Sequence, residues 1–194
     1  MKRIILVIGV LVLLAGKVYA ESPTEKGVYS LSGSVSYSRT KDNASGDTSK
    51  RIALYPAGFY FVYPDLALGT SITYYDSTSN GYDYKYYGIG PVVRYYFGKD
   101  TILPFLSLEY IYTRNKNKMS FSGLSSNGTG RGTDISLGIG VDYFLSKNVA
   151  LEPMVRYTFS HTEDHYTSTV GIPYGVSSRS EELLIGLGIN VFIF

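Results

Sequence analysis

The sequence predicts an all-β chain, folded as an eight-stranded antiparallel up-and-down transmembrane β-barrel, and three observations predict it. From Gly27 onward apolar residues recur with a period of two rather than 3.6. There are eight such stretches, joined by polar connections that are long and short by turns. Within the stretches the polar partner set is small and sparsely charged, unlike the Lys- and Glu-rich face of a sheet in water.

In the first stretch Tyr29, Leu31, Gly33, Val35 and Tyr37 alternate with Ser30, Ser32, Ser34, Ser36 and Ser38, the pattern of a strand with one apolar face. Similar stretches follow at roughly 51–62, 66–76, 83–97, 103–114, 132–144, 149–160 and 181–194. Pro56, Pro91 and Pro153 fall inside three of them. A proline lacks the ladder's N–H donor, so bulges or local breaks are expected there.

Residues 1–20 read as a segment outside the fold. Lys2 and Arg3 precede the apolar run Ile4 to Leu14, and Val18 and Ala20 suit a cleavage site before Glu21. This is the form of a secretory signal peptide, and the run is too short to span ~30 Å of hydrocarbon as a helix. The domain expected is then 21–194. Removing 1–20 takes away Lys2, Arg3 and Lys17 and no acid, so the 18 basic residues become 15 against 16 acidic ones and the formal charge falls from +2 to −1. The basic character belongs largely to that segment, and nucleic-acid recognition has no support. With no Cys, disulfides, thiolate metal sites and a Cys nucleophile are excluded.

The long connections follow the first, third, fifth and seventh stretches, as in Arg39–Asp47, Asn115–Arg131 and His161–Ser180. The short ones are Tyr63-Pro64-Asp65, Gly98 to Thr101 and Ser146-Lys147-Asn148. An outer-membrane barrel segregates its connections in this way, with short turns in the periplasm and long loops outside. Facing follows from composition. Ser30 to Ser38, Gly88, Gly90, Asp134, Ser136, Gly138, Gly140, Gly186, Gly188 and Asn190 suit a crowded lumen. Leu68, Ile72, Leu106, Leu108, Ile135, Leu137, Ile139, Leu183, Ile185 and Leu187 suit lipid. Tyr63, Phe97, Phe144 and Phe194 at the short-turn end, with Tyr37, Tyr75, Tyr112 and Tyr157 toward the other, predict two aromatic girdles.

The stretch Leu54-Tyr-Pro-Ala-Gly-Phe-Tyr-Phe-Val-Tyr-Pro-Asp-Leu-Ala-Leu-Gly69 resembles a hairpin of small outer-membrane β-barrel proteins of the OmpX/OmpA-like superfamily. So do Gly90-Pro-Val-Val-Arg-Tyr-Tyr-Phe97 and Gly138–Glu152, and the likeness covers 27–194. The resemblance implies a Gram-negative cell outer membrane location and a terminal aromatic signal read by the barrel-assembly machinery. Phe192 and Phe194 match that signal, with Gly188 one position earlier than usual.

Alternation places Arg94, Glu109, Asp142, Glu152 and Arg156 inward. Charges in a narrow lumen must pair, because desolvation is otherwise costly, so a salt-bridge network is expected there. Arg39, Lys41, Lys50 and Arg51 flank the first long loop and are candidates for contact with lipopolysaccharide phosphates. His161-Thr-Glu-Asp-His165 holds two imidazoles and two carboxylates, but a solvated loop tip is the simpler reading. Small-barrel lipid A deacylases carry a Ser two residues after the His; here Glu163 stands there. Asp42–Asp47 and Asp76–Gly81 lack the terminal Glu of a calcium loop. No cofactor, metal site, catalytic residue or nucleic-acid partner is expected. The expectation is a monomeric, non-enzymatic structural or surface-interaction (adhesin-like) protein, acting through long outer loops on a surface or host partner, its lumen plugged by polar side chains. The alternatives are a narrow pore for small solutes or a lipid-modifying enzyme.

Overall fold

Alternating sequences form strands because successive side chains point to opposite faces, and eight such strands can bury one face only by closing on themselves. In the computed structural model residues 22–41, 48–79, 82–98, 101–121, 124–167 and 173–194 are described. The expected signal peptide, residues 1–20, lies outside them, as does Asp42–Asp47. The elements are β1 (Tyr29–Lys41), β2 (Thr48–Tyr63), β3 (Leu66–Ser79) and β4 (Tyr82–Tyr96), followed by β5 (Ile102–Phe121), β6 (Leu124–Phe144), β7 (Val149–Thr167) and β8 (Pro173–Ile193). Each strand pairs antiparallel with the next, and β8 returns to β1 to close the barrel.

The polar connections are shorter than the sequence suggests. Asn115–Phe121 and Leu124–Arg131 continue the β5–β6 ladder to Phe121↔Leu124. His161–Thr167 likewise pairs with Pro173–Arg179, and Arg39–Lys41 with Thr48–Lys50. The physical reason is that a ladder needs backbone groups, not apolar side chains. Past the bilayer both faces are polar and the hydrophobic alternation disappears, yet small inward residues (Gly128, Gly130, Gly132) still alternate with polar outward ones (Thr129, Arg131). About 9–11 residues cross a bilayer as a tilted strand, so roughly half of the 20-residue β5 and 21-residue β6 lies beyond it.

Facing follows the composition. Leu106, Leu108, Ile135, Leu137, Ile139, Leu183, Ile185 and Leu187 are exposed on the outer wall, whereas Ser30, Ser136, Asp142 and Asn190 are buried inside. The girdles are corrected in three places. Tyr63, Phe97, Tyr37 and Tyr112 do face outward, and so does Tyr157, which packs edge-on against exposed Phe159 and donates its hydroxyl to Glu181. Phe144 and Phe194 instead pack against the interior apolar cluster, and Tyr75 lines the lumen beside Tyr84. For Tyr75 the cause is parity, which puts it on the same face as Ser71 and Thr73.

Each of the three prolines coincides with a gap in one ladder and no slip of register. The β2–β3 pairing skips from Leu54↔Tyr74 to Ala57↔Ser71 around Pro56. The β4–β5 pairing skips from Ile89↔Tyr112 to Val92↔Glu109 around Pro91, and β6–β7 skips from Gly140↔Met154 to Tyr143↔Leu151 around Pro153. The other ladder of each strand continues through the proline. Among the described residues the one register irregularity lies elsewhere, between Phe61 and Tyr63.

The short-turn end is stoppered by its own chain. Gly27 and Val28 exchange backbone hydrogen bonds with Phe61, and the Thr24 hydroxyl donates to Asp65 at 2.6 Å. Asp65 adopts φ 65° in the tight Pro64-Asp65 turn, a region that Asp tolerates better than most residues. Closure itself is the weak joint. β1 and β8 pair only from Tyr29↔Ile193 to Gly33↔Ile189, and beyond these β1 and β8 are unpaired with each other.

At the Pro91 gap β4 and β5 approach closely. A Cβ added at Gly90 would overlap the Tyr110 carbonyl oxygen and lie 2.8 Å from the Ile111 Cα. Gly90→Ala should therefore cost about 1–3 kcal/mol, read in urea titrations by the heat-modifiable migration of the folded barrel. Gly58→Ala, whose Cβ would meet only Leu31 Cδ2 at 3.5 Å, should stay close to the parent.

Candidate functional site in the barrel lumen

The lumen is layered along its axis. At the short-turn end the inward residues are large and apolar: Phe59, Phe61, Tyr96, Phe105 and Phe192 form a buried cluster with Val28, Ala67, Val92, Leu103, Ala150 and Met154. Phe192 lies 5.0 Å from Phe144 and 6.3 Å from Phe61, ring to ring. In the finished barrel it thus points inward, whereas Ile193 is exposed and Phe194 is partly buried against the cluster.

Directly above this floor Arg94 forms a forked pair with Glu152, Nη1 donating to Oε2 at 2.6 Å and Nη2 to Oε1 at 3.2 Å. Both side chains are 3% exposed. The guanidinium lies between two rings, 4.4 Å from the centre of Phe59 and 4.0 Å from that of Phe105. Arg suits this place because its planar cation stacks on aromatic faces while its edge binds a carboxylate. Ser32 donates to Glu152 at 3.1 Å. Arg94 also donates to the Tyr96 hydroxyl at 3.2 Å, which donates to Asp142 at 3.0 Å. Asn190 donates to the same Asp142 oxygen at 2.9 Å.

One step outward Arg156 meets Glu109 at 3.2 Å and stands over the Tyr55 ring at 5.2 Å. Between the two ion pairs is a void of only about 10 Å³, at or just below the volume that admits a water centre. Of the five charges assigned inward by alternation, four thus form two pairs, and Asp142 is held by Tyr96 and Asn190. Asn190 was assigned to the lumen by alternation, but Tyr96, Phe59 and Phe105 were not singled out by sequence reasoning. The signal available was parity with Arg94 on β4 and with Glu109 on β5.

Beyond Arg156 the lumen widens into a cavity of about 290 Å³, lined by tyrosines 55, 75, 84 and 86, by Arg51, Asp134 and Glu182, and by serines and threonines. Tyr82, Tyr84 and Tyr86 stack along β4 at 6.4 and 6.3 Å, and the Tyr86 hydroxyl donates to Asp134. Every second residue of Tyr82-Asp-Tyr-Lys-Tyr86 being tyrosine is the sequence signature of this column.

Arg51, considered as a lipid contact, belongs to this cavity and sits 4.9 Å over the Tyr75 ring. Its neighbour Lys50 has the opposite facing and is exposed, because adjacent strand residues point to opposite sides. Arg39 and Lys41 are placed by backbone pairing alone, opposite Lys50 and Thr48. The His161–His165 segment is strand rather than loop, which sends His161, Glu163 and His165 to one face and Thr162 and Asp164 to the other. Among the described residues no group of three or more His, Asp and Glu is placed to hold a metal. Asp76 is likewise in a strand and pairs with Lys85 at 3.9 Å.

A closed eight-stranded barrel with an apolar outer wall and ion pairs inside has the architecture of an integral outer-membrane barrel. The chain matches the family described as outer membrane protein beta-barrel domain over residues 8–177, and it belongs to that family. It is located in the cell outer membrane. No curated protein matches the sequence. Among solved structures it is similar to the outer membrane protein OprG of Pseudomonas aeruginosa, with 13% identity, a TM-score of 0.62 and coverage of 89% of this chain and 99% of that one. It is similar to the N-terminal β-barrel domain of OprF from the same organism, with 17% identity, a TM-score of 0.54 and coverage of 87% and 98%. For Neisserial surface protein A the values are 20% identity, a TM-score of 0.52 and coverage of 86% and 97%. At such identities these likenesses show the fold.

The Arg94–Glu152 pair makes a sharp prediction. Glu152→Leu alone strands a buried cation and should cost about 3–5 kcal/mol. Adding Arg94→Leu should recover most of that loss in the same urea titration, because both charges then leave the low-dielectric interior together.

Proposed function

We propose that this chain is a non-enzymatic structural and surface-contact protein of the outer membrane, with a lumen that side chains plug rather than a conducting path. The observation that carries this reading is the stacking of Arg94–Glu152 and Arg156–Glu109 over an apolar floor. Moving an ion past them would require breaking buried pairs. The polar extensions of β5 to β8 supply the surface on which a host or neighbouring protein is contacted, in place of long free loops. The name of Neisserial surface protein A supports a surface role. On this reading the short turns lie in the periplasm, residues 1–20 are removed on export, Phe192 and Phe194 are read by the barrel-assembly machinery before insertion, and the folded chain is a monomer. Lys50, with Arg39 and Lys41, contacts lipopolysaccharide.

The outer cavity of about 290 Å³ favours one second reading, a narrow pore for small solutes whose vestibule it would be. Planar-bilayer recording separates the two. The plugged barrel gives no steady conductance between moderate positive and negative potentials, and a steady open level would overturn the proposal. A lipid-modifying enzyme is tested by mass spectrometry of lipid A from cells with and without the chain. Identical spectra are expected, and a mass shift matching loss or gain of an acyl chain would reinstate that alternative.

A further inference from the structure

Just above the lipid-facing wall, the outward faces of β4, β5 and β6 gather cations that the adjoining ladders balance only in part. Lys85 lies directly opposite Lys116, and Arg114 directly opposite Arg131; all four are exposed. Like charges facing each other across a ladder destabilise it. The flanks are relieved by carboxylates: Asp76 is 3.9 Å from Lys85, Glu163 is 3.4 Å from Arg131, and Lys118 stands opposite Asp83. Arg114 and Lys116, at the centre, are not ion-paired among the described residues. Arg114 instead reaches back to the Tyr112 ring at 5.9 Å. A surface depression of about 330 Å³ has Tyr87, Arg114, Lys116, Thr129, Arg131 and His165 in its wall.

We propose that this depression binds the phosphorylated headgroup of an outer-leaflet glycolipid, Arg114 and Lys116 gripping phosphate while acyl chains lie along Ile89, Tyr110 and Ile135 beneath. The inference rests on the outward orientation of the polar extensions given above and names a site on a different wall from Lys50. Its height selects the occupant. Tyr87, Ile89, Tyr110, Tyr112 and Ile135 form an exposed apolar surface running down from the cations, which a free anion would leave unused and an anchored lipid would cover. Arg supplies forked donors to phosphate oxygens and Lys a mobile point charge.

The test uses the full-length barrel, refolded in detergent and titrated by native mass spectrometry with diphosphorylated lipid A, enzymatically dephosphorylated lipid A, or inorganic pyrophosphate as competitor. The parent and the short-turn control Lys147→Gln should retain the diphosphorylated lipid. Arg114→Gln with Lys116→Gln should bind it roughly tenfold or more weakly, with unchanged heat-modifiable migration, and dephosphorylation should have a similar effect on the parent. Equal binding by the double variant, or displacement of the lipid by pyrophosphate at the lipid's own concentration, overturns the site. Orientation is read separately by an impermeant maleimide on intact cells carrying Ser177→Cys. Absent labelling sinks the orientation, and labelling without lipid selectivity sinks the site alone.

Discussion

Everything in this molecule depends on the rule that a backbone polar group placed in hydrocarbon must find its partner within the protein. For strands the rule is met only by closure, and the chain closes its eight strands into a ring in which the last ladder, β1 to β8, runs only from Tyr29↔Ile193 to Gly33↔Ile189. The ring is not uniform. Adjacent-strand ladders tolerate one proline gap each in β2–β3, β4–β5 and β6–β7 because the opposite ladder of each proline-bearing strand is continuous. The β1–β8 ladder, which makes the ring a ring, is confined to the short-turn half. That half also holds the apolar cluster and the stopper formed by Thr24 to Val28. Closure and interior packing therefore reinforce each other at the same end.

An eight-stranded ring is just narrow enough for side chains to fill it, and the filling changes character with height. Where β1 and β8 meet, aromatic rings pack the axis. Next come two buried ion pairs whose cations lie over rings, so that the desolvation of Arg94 and Arg156 is offset by carboxylates and aromatic faces together. Beyond them small residues and tyrosines leave a cavity. The inner face thus runs from packed to open along the axis.

The outer face is graded in the same direction. Leucines and isoleucines of β5, β6 and β8 give way to Tyr87 and Tyr112, and then to Lys85, Arg114, Lys116 and Arg131. Because strands continue through this boundary, charges above the bilayer are held in ladder register instead of on free loops. Register is what sets Lys85 against Lys116 and Arg114 against Arg131. On a loop such cations would drift apart; on the ladders Lys85 and Arg131 are met by Asp76 and Glu163, while Arg114 and Lys116 are held side by side without an ion pair among the described residues.

The sequence by itself determined the strand count, the facing of each strand and the positions of the ladder gaps, because period two and a missing N–H are local properties. Leu106, Ile135 and Ile185 were legible as lipid-facing, and Arg94, Glu109, Asp142, Glu152 and Arg156 as sharing one face, from parity alone. Parity could not say which height each residue occupies, since height depends on the stagger between strands. The tertiary structure therefore decided that Arg94 meets Glu152 and Arg156 meets Glu109, that Asp142 falls to Tyr96 and Asn190, and that Phe59, Phe105 and Phe192 join one buried cluster. It also decided where the ladders end, because Asn115–Arg131 and His161–Ser180 carry no apolar alternation to mark them as strand. Hydrogen bonding continues there without any hydrophobic record in the sequence, and the cationic cluster beside Tyr87 is visible only once that hidden register is known.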